Sequence, residues 1–276
     1  MSGLKSKVGP LSAVSLVREA RRGAGDRRPL AVAGSRELVP VLAKELRAGG
    51  DHDAVVEQEI DGAIALVWVG PPDEDRLRAA DRARIPIVAV SDADSVPYVF
   101  AQDVVRVPPG QGFPVDRIAD ALARRLEEGA LGLAARLPVL REAVSAQLIR
   151  TTSRRNGLIG AAVFIPGVEF PILTFNQVRL VLRPAMAHGE ELDRTRAFEL
   201  AGVVGAGLGF RTLARELLDF VPFAGWAVKG AIAYTGTRAI GEAAVRYFGA
   251  RTDEGATETP SGPGPTLSGN GPEVTP

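Results

Sequence analysis

From Leu30 onward, short runs of apolar and β-branched residues alternate with charged stretches in which apolar positions recur every three or four residues. Alternation of strand-like and helix-like periods is how βα units read, and it predicts a mostly parallel sheet. Strands are expected at residues 30–33, 54–58, 63–69, 85–90 and 104–107, with helices at 36–47, 73–84 and 115–128. The runs Ala63-Ile-Ala-Leu-Val-Trp-Val69 and Ile85-Pro-Ile-Val-Ala-Val90 are almost wholly apolar, as central strands covered on both faces must be. Residues 29–129 are therefore expected to form a five-stranded, Rossmann-like α/β domain. Residues 1–28 read as a flexible basic lead-in with one short helix and no signal-peptide core.

The pattern changes after this domain. Residues 130–156 read as a helical connector ending in a basic cluster of Arg150, Arg154 and Arg155. Beyond Asn156 strand-like runs disappear, glycine and alanine rise, and an all-α hairpin module is expected over 157–249. Residues 157–175 carry a single charge, Glu169, and are apolar enough to nominate a membrane span. Pro166 and Pro171 lie inside the stretch and disfavour straight helix, so two half-helices meeting between them are expected. Arginines flank both ends, a bias that keeps both on the cytoplasmic side of the inner membrane.

A second stretch, 217–234, repeats the design: Phe220-Val221-Pro222 echoes Phe164-Ile165-Pro166, and each triplet precedes an apolar helix. Asp219 and Lys229 make it the less apolar of the two. Gly205 and Gly209 have the G-x-x-x-G spacing that lets helices approach closely. Lys229 and Glu169, the costliest charges in a lipid setting, are expected to pair. The alternative for the whole region is a water-soluble bundle with very apolar core helices. Residues 250–276, rich in Gly, Pro, Ser and Thr, cannot offset their ordering entropy and are expected to be disordered.

Charge and composition narrow the functions. Lysine plus arginine and aspartate plus glutamate both number 33, so no net positive field attracts nucleic acid. There are no cysteines, which excludes disulfides and thiolate metal sites. The 276 residues are enough for two structured units.

Candidate chemistry is sparse. The first strand of a nucleotide-binding α/β domain should run into a glycine-rich phosphate cradle. Here it runs into Gly34-Ser35-Arg36-Glu37, and no G-x-x-x-x-G-K-[S/T] occurs anywhere in the chain. His52 and His188, the only histidines, stand in polar loop-like settings. Glu190, Glu191 and Asp193 read as the first turn of a helix. Ser35, Ser91 and Ser95 lie near strand ends outside any G-x-S-x-G elbow. A small-ligand crevice at the strand ends, drawing on Gly34, Ser35, Ser91 and Asp94 with Asp73 and Asp92 nearby, is the one binding site the pattern offers. No catalytic residue, cofactor or metal is expected.

Several segments together resemble a bacterial family. Phe164-Ile165-Pro166 through Asn176-Gln177-Val178-Arg179, Gly207-Leu208-Gly209-Phe210-Arg211, Val221-Pro222-Phe223-Ala224-Gly225 and Tyr234-Thr235-Gly236-Thr237-Arg238-Ala239-Ile240-Gly241 resemble the YcjF-like domain of unknown function, over roughly residues 131–248. The resemblance implies membrane association, with membrane lipid as a partner, and a GTPase domain attached or encoded alongside. A homo-oligomer or another protein partner is also expected, and Pro166, Glu169, Pro171, Asn176, Gln177, Gly205, Gly209, Pro222, Gly225, Lys229, Gly236 and Gly241 form the expected membrane and packing motif. It also implies that the α/β domain is a degenerate, P-loop GTPase-like unit. Where such a unit carries N-K-x-D this chain has Ser91-Asp92-Ala93-Asp94, and only Asp94 matches. The function expected is that of a non-catalytic, membrane-associated adaptor or anchor, with a soluble nucleotide- or small-ligand-binding protein as the alternative.

Overall fold

The computed structural model describes residues 26–108, 110–162, 169–189 and 225–257. Five strands, β1 (Leu30–Gly34), β2 (Val55–Glu57), β3 (Ala65–Val69), β4 (Ile87–Ser91) and β5 (Val104–Arg106), form one sheet in the order β2-β1-β3-β4-β5. All four neighbouring pairs are parallel. The chain moves one way from β1 to β2 and the other way from β3 onward, so the order reverses between β1 and β3.

Alternation across the pleat divides the sheet into two apolar faces. Leu30, Val32, Ala65, Val67, Val69, Val88, Val90 and Val105 face one core, shared with α1 (Leu38–Leu46) and α3 (Val115–Leu126). Ala31, Ala33, Leu66, Trp68, Ile87 and Ala89 face the other, where α2 (Glu74–Arg82) contributes Leu77 and Ala80. Every residue of β3 and β4 is buried, which is why both were written as apolar runs.

The first core does not stop at Gly129. α4 (Ala130–Arg136) supplies Ala130, Leu131, Leu133 and Ala134 to it, and a turn at Pro138–Leu140 leads into α5 (Arg141–Ala162), which adds Ala143, Val144 and Leu148. The stretch expected to be a connector is thus packed on the sheet's own helical layer, its helix interrupted before Pro138, which lacks the amide donor.

α5 runs on for about 20 Å beyond Leu148, at about 1.5 Å per residue. α6 (Glu169–Ala187) returns antiparallel to it: Asn176 meets Asn156, and Ala187 joins the sheet-side core. α7 (Gly225–Thr257) is also antiparallel to α5, with Gly230 against Gly157 and Gly241 against Ile149. The break expected at Pro166–Pro171 falls between α5 and α6, on residues 163–168 that lie outside the described residues; Pro171 belongs to α6 as described, and Pro184 lies inside that helix. One expectation changes here. α7 continues to Thr257, past residue 250 where disorder was expected to begin.

Among the described residues no helix is long and apolar enough to cross a membrane. Pro166, Gly205, Gly209 and Pro222, with Glu190, Glu191 and Asp193, lie outside the described residues, and so do the lead-in up to residue 25 and the tail from residue 258.

Candidate functional site

In an open parallel sheet, ligands bind at the carboxyl ends of the strands where the order reverses, here between β1 and β3. Gly34 ends β1 with φ of 126°, and a Cβ at that position would stand 2.2 Å from the Val69 carbonyl oxygen, so no side chain fits between the strands. Anion binding at a helix N-terminus requires free amides. The Ser35 amide donates to the Val69 carbonyl at 2.8 Å, and the Gly70 amide to the Val90 carbonyl at 2.9 Å. The amides of Leu38 and Val39, opening α1, both donate to the Ser35 carbonyl at 3.2 and 3.0 Å, and the next residue, Pro40, has none. The turn that would cradle a phosphate therefore spends these donors on its own backbone.

The flank of this turn is filled from within the chain. Gln58, held at φ of 61° just after β2, accepts a hydrogen bond from the Gly34 amide at 3.4 Å and donates one to its carbonyl at 3.2 Å. Arg76 of α2 donates to the Gln58 side chain at 3.1 Å and to its carbonyl at 2.8 Å, with its guanidinium 5.2 Å from the Trp68 ring centroid. Asp73 caps α2 by accepting from the Arg76 amide at 3.1 Å. Gln58, Arg76 and Trp68 were not singled out from the sequence, because their connection depends on β1 and β2 being neighbours.

Ser91 and Asp94 do not join Gly34 and Ser35. They belong to β4 and its exit, on the far side of β3, so about 10 Å of sheet separates the pairs at the usual strand spacing. The Ser91 hydroxyl accepts from the Ala93 amide at 3.2 Å, a turn function. Asp94 pairs with Arg106 at 2.6 Å on the open surface. His52 is exposed, and the His188 ring bonds the Pro184 carbonyl at 2.8 Å.

Beyond β4 the chain presents Tyr98 and Phe100, 41% and 58% exposed. Arg78 donates to the Tyr98 hydroxyl at 2.8 Å and lies over its ring, and Arg125 lies 4.6 Å from the Phe100 centroid. Asp103 is 1% exposed with neither carboxylate oxygen hydrogen-bonded; the nearest cation is Arg125 at 3.7 Å. Burial pushes its pKa above the ordinary carboxylate value, and the charges of Arg125 and Arg124 only partly oppose this.

The helical layer holds the other concentration of polar groups. Asn176 donates to Asn156 at 2.7 Å, Asn156 donates to Thr237 at 3.0 Å, and Thr237 donates to the Ala233 carbonyl at 2.6 Å, a buried chain tying α6 to α5 and α5 to α7. Small residues allow the approach: a Cβ on Gly230 would meet the Gly157 carbonyl at 3.0 Å, and one on Gly241 would meet Ile149 at 2.6 Å. Gly236, by contrast, faces open space. Glu169, Pro171, Gln177, Gly225 and Lys229 have described backbones in α6 and α7, but their side chains, and with them the expected Lys229–Glu169 pair, lie outside what is described.

Among the described side chains at the end of this layer remote from the sheet, Leu158 of α5 is 72% exposed, Ala227 and Ala231 of α7 are exposed, and Ile159, Val228 and Ile232 are partly buried. One turn closer to the sheet on α5 stand Arg154 and Arg155, both exposed. No family model matches the chain, and neither does any curated protein or solved structure.

Proposed function

We propose that this chain is a non-catalytic, membrane-associated protein, an adaptor or self-associating anchor at the cytoplasmic face. In this reading the Rossmann-like α/β domain has lost, or never had, a phosphate site. The observation that carries the reading is the exposed apolar side chains described at the remote end of the helical layer, Leu158 on α5 and Ala227 and Ala231 on α7. The described parts of the two apolar stretches of the sequence meet at that end, with Gly157 against Gly230. Exposed apolar surface rimmed by cations suits a lipid interface better than water. Support for the adaptor role comes from Tyr98 and Phe100, exposed aromatics overlain by arginines, the residue types enriched at protein interfaces.

Fractionation of cells expressing the full chain tests this. The protein is expected in the membrane pellet after a high-salt wash, and recovery in the soluble fraction without detergent would contradict the reading. The rival, a soluble nucleotide- or small-ligand-binding protein, would have to hold its ligand on the Arg36 and Glu37 amides alone, because the Gly34, Ser35, Leu38, Val39 and Gly70 amides are committed within the protein. Millimolar GTP or ATP is therefore expected to leave the melting temperature unchanged; a ligand present at a hundred times its Kd would add about 2.7 kcal/mol of stability and raise it.

A further inference from the structure

The exposed stripe of α5 comprises Arg150, Thr151, Arg154, Arg155 and Leu158, spaced as neighbours on one helix face. Arginines on a solvated helix normally find carboxylates three or four residues away, as Arg78 finds Glu74 and Arg238 finds Glu242 on other helices of this chain. Here none is available. Positions 146, 147, 151, 152, 157, 158 and 159 are Ala, Gln, Thr, Thr, Gly, Leu and Ile, and Arg150 has only the neutral Gln147 side chain, at 3.4 Å. Among the described residues no carboxylate pairs with Arg150, Arg154 or Arg155, which places three guanidinium groups together on one exposed helix face of a chain with no net charge.

The order along the stripe is informative as well. The charges lie toward the sheet and Leu158, 72% exposed, lies toward the remote end. A cationic band followed by an exposed large apolar side chain matches the depth profile of a lipid interface: phosphates at the arginine level, acyl chains at the leucine level. A nucleic-acid backbone would satisfy the guanidinium groups but would leave Leu158 in water, and an acidic protein would do the same unless it also offered an apolar pocket.

We infer that the Arg150–Arg154–Arg155 face of α5 binds the headgroups of anionic lipids and thereby makes membrane docking selective for negatively charged bilayers. This rests on the membrane reading above and adds the lipid class and the residues. Each arginine near an anionic surface contributes about 1 kcal/mol, so removing two should lower partitioning about thirtyfold. The attraction is screened by salt, with a Debye length of about 3 Å at 1 M.

The test is flotation of the full chain, synthesised in a cell-free system containing vesicles of phosphatidylcholine alone or of phosphatidylcholine with phosphatidylglycerol. Native protein is expected to float with the anionic vesicles in large excess over the neutral ones. R154A/R155A should lose that excess, by about thirtyfold in partitioning, while R154K/R155K, which keeps the charge, should retain it. Equal flotation on both vesicle types, unaffected by R154A/R155A, would overturn the lipid selectivity and leave membrane association standing. Flotation on neither would overturn both. Loss in the lysine variant as complete as in the alanine variant would also overturn the electrostatic argument.

Discussion

The sheet and the helical layer are held together by different means. At the centre of the sheet, β3 and β4 are buried throughout, their side chains are apolar except for Ser91 at the end of β4, and polar chemistry is pushed to the strand ends. Between α5, α6 and α7 an apolar cluster of Val181, Leu182, Ala185, Met186, Ala244 and Phe248 is joined by close contacts at Gly157, Gly230, Gly241 and Ala161, and an Asn-Asn-Thr chain runs through the middle. The first arrangement draws its stability from apolar area removed from water, which bulk solvent must supply. The second adds close backbone approach and internal hydrogen bonds to a smaller apolar cluster.

Substitutions in the two regions should therefore fail differently. Leu66→Ala, at a wholly buried position in the middle of β3, is expected to cost about 3 kcal/mol by chemical denaturation, the lost transfer energy plus the cavity. The whole α/β unit should lose stability with it, because both apolar faces share that strand. A cost below about 1 kcal/mol would mean that the sheet core is loosely packed.

Asn156→Ala comes next, at about 2 kcal/mol, because it leaves the Asn176 amide donor buried without an acceptor and removes a donor from Thr237. Hydrogen exchange should accelerate in α6 and α7 while amides of β1, β3 and β4 stay protected. Uniform acceleration would erase the distinction between the regions. Replacing all three members together, N156L/N176L/T237V, should restore most of the loss, since an apolar set with no orphaned partner is close to neutral.

Gly230→Val is expected to cost about 1–3 kcal/mol, as overpacking does, because its Cβ would press on the Gly157 carbonyl and on Ala161. Gly236→Ala, facing open space on the same helix, should be harmless.

The smallest effect concerns Asp103. A buried carboxyl whose pKa is raised in the folded state binds its proton more tightly when folded, so protonation favours the native protein. Stability should fall as pH rises from about the ordinary value of 3.8 through the raised native value and then level off. Asp103→Asn is expected to melt higher than the native chain at pH 7, with the gap closing toward acid. A variant that melts lower at pH 7 would show that the Arg125 contact outweighs the desolvation.

How much of this was legible in the sequence follows from the same contrast. The five strands and three of the helices could be read because double-sided burial writes long apolar runs and amphipathic helices write a period; the parallel order followed from their alternation. The Gln58–Arg76–Trp68 cluster could not, since Gln58 reaches Gly34 across 24 residues and only through strand order. Asn156 marked no more than the edge of an apolar stretch, because its partners lie 20 and 81 residues away. Gly241 was picked out for packing and does pack, whereas Gly236, picked out beside it, faces outward. Helical spacing alone did not separate them, because which face is covered depends on where α5 crosses.

The central claim is that the remote end of the helical layer meets lipid. The chain has two tryptophans: Trp68, 1% exposed inside the sheet and 2.9 Å from the Pro71 carbonyl, and Trp226, near the start of α7. Fluorescence of the full chain with vesicles carrying brominated acyl chains reads them separately, because Trp68 is shielded by protein. The account predicts quenching of a part of the emission that disappears in Trp226→Phe. Emission unchanged by brominated lipid, in a preparation that remains folded, would contradict it.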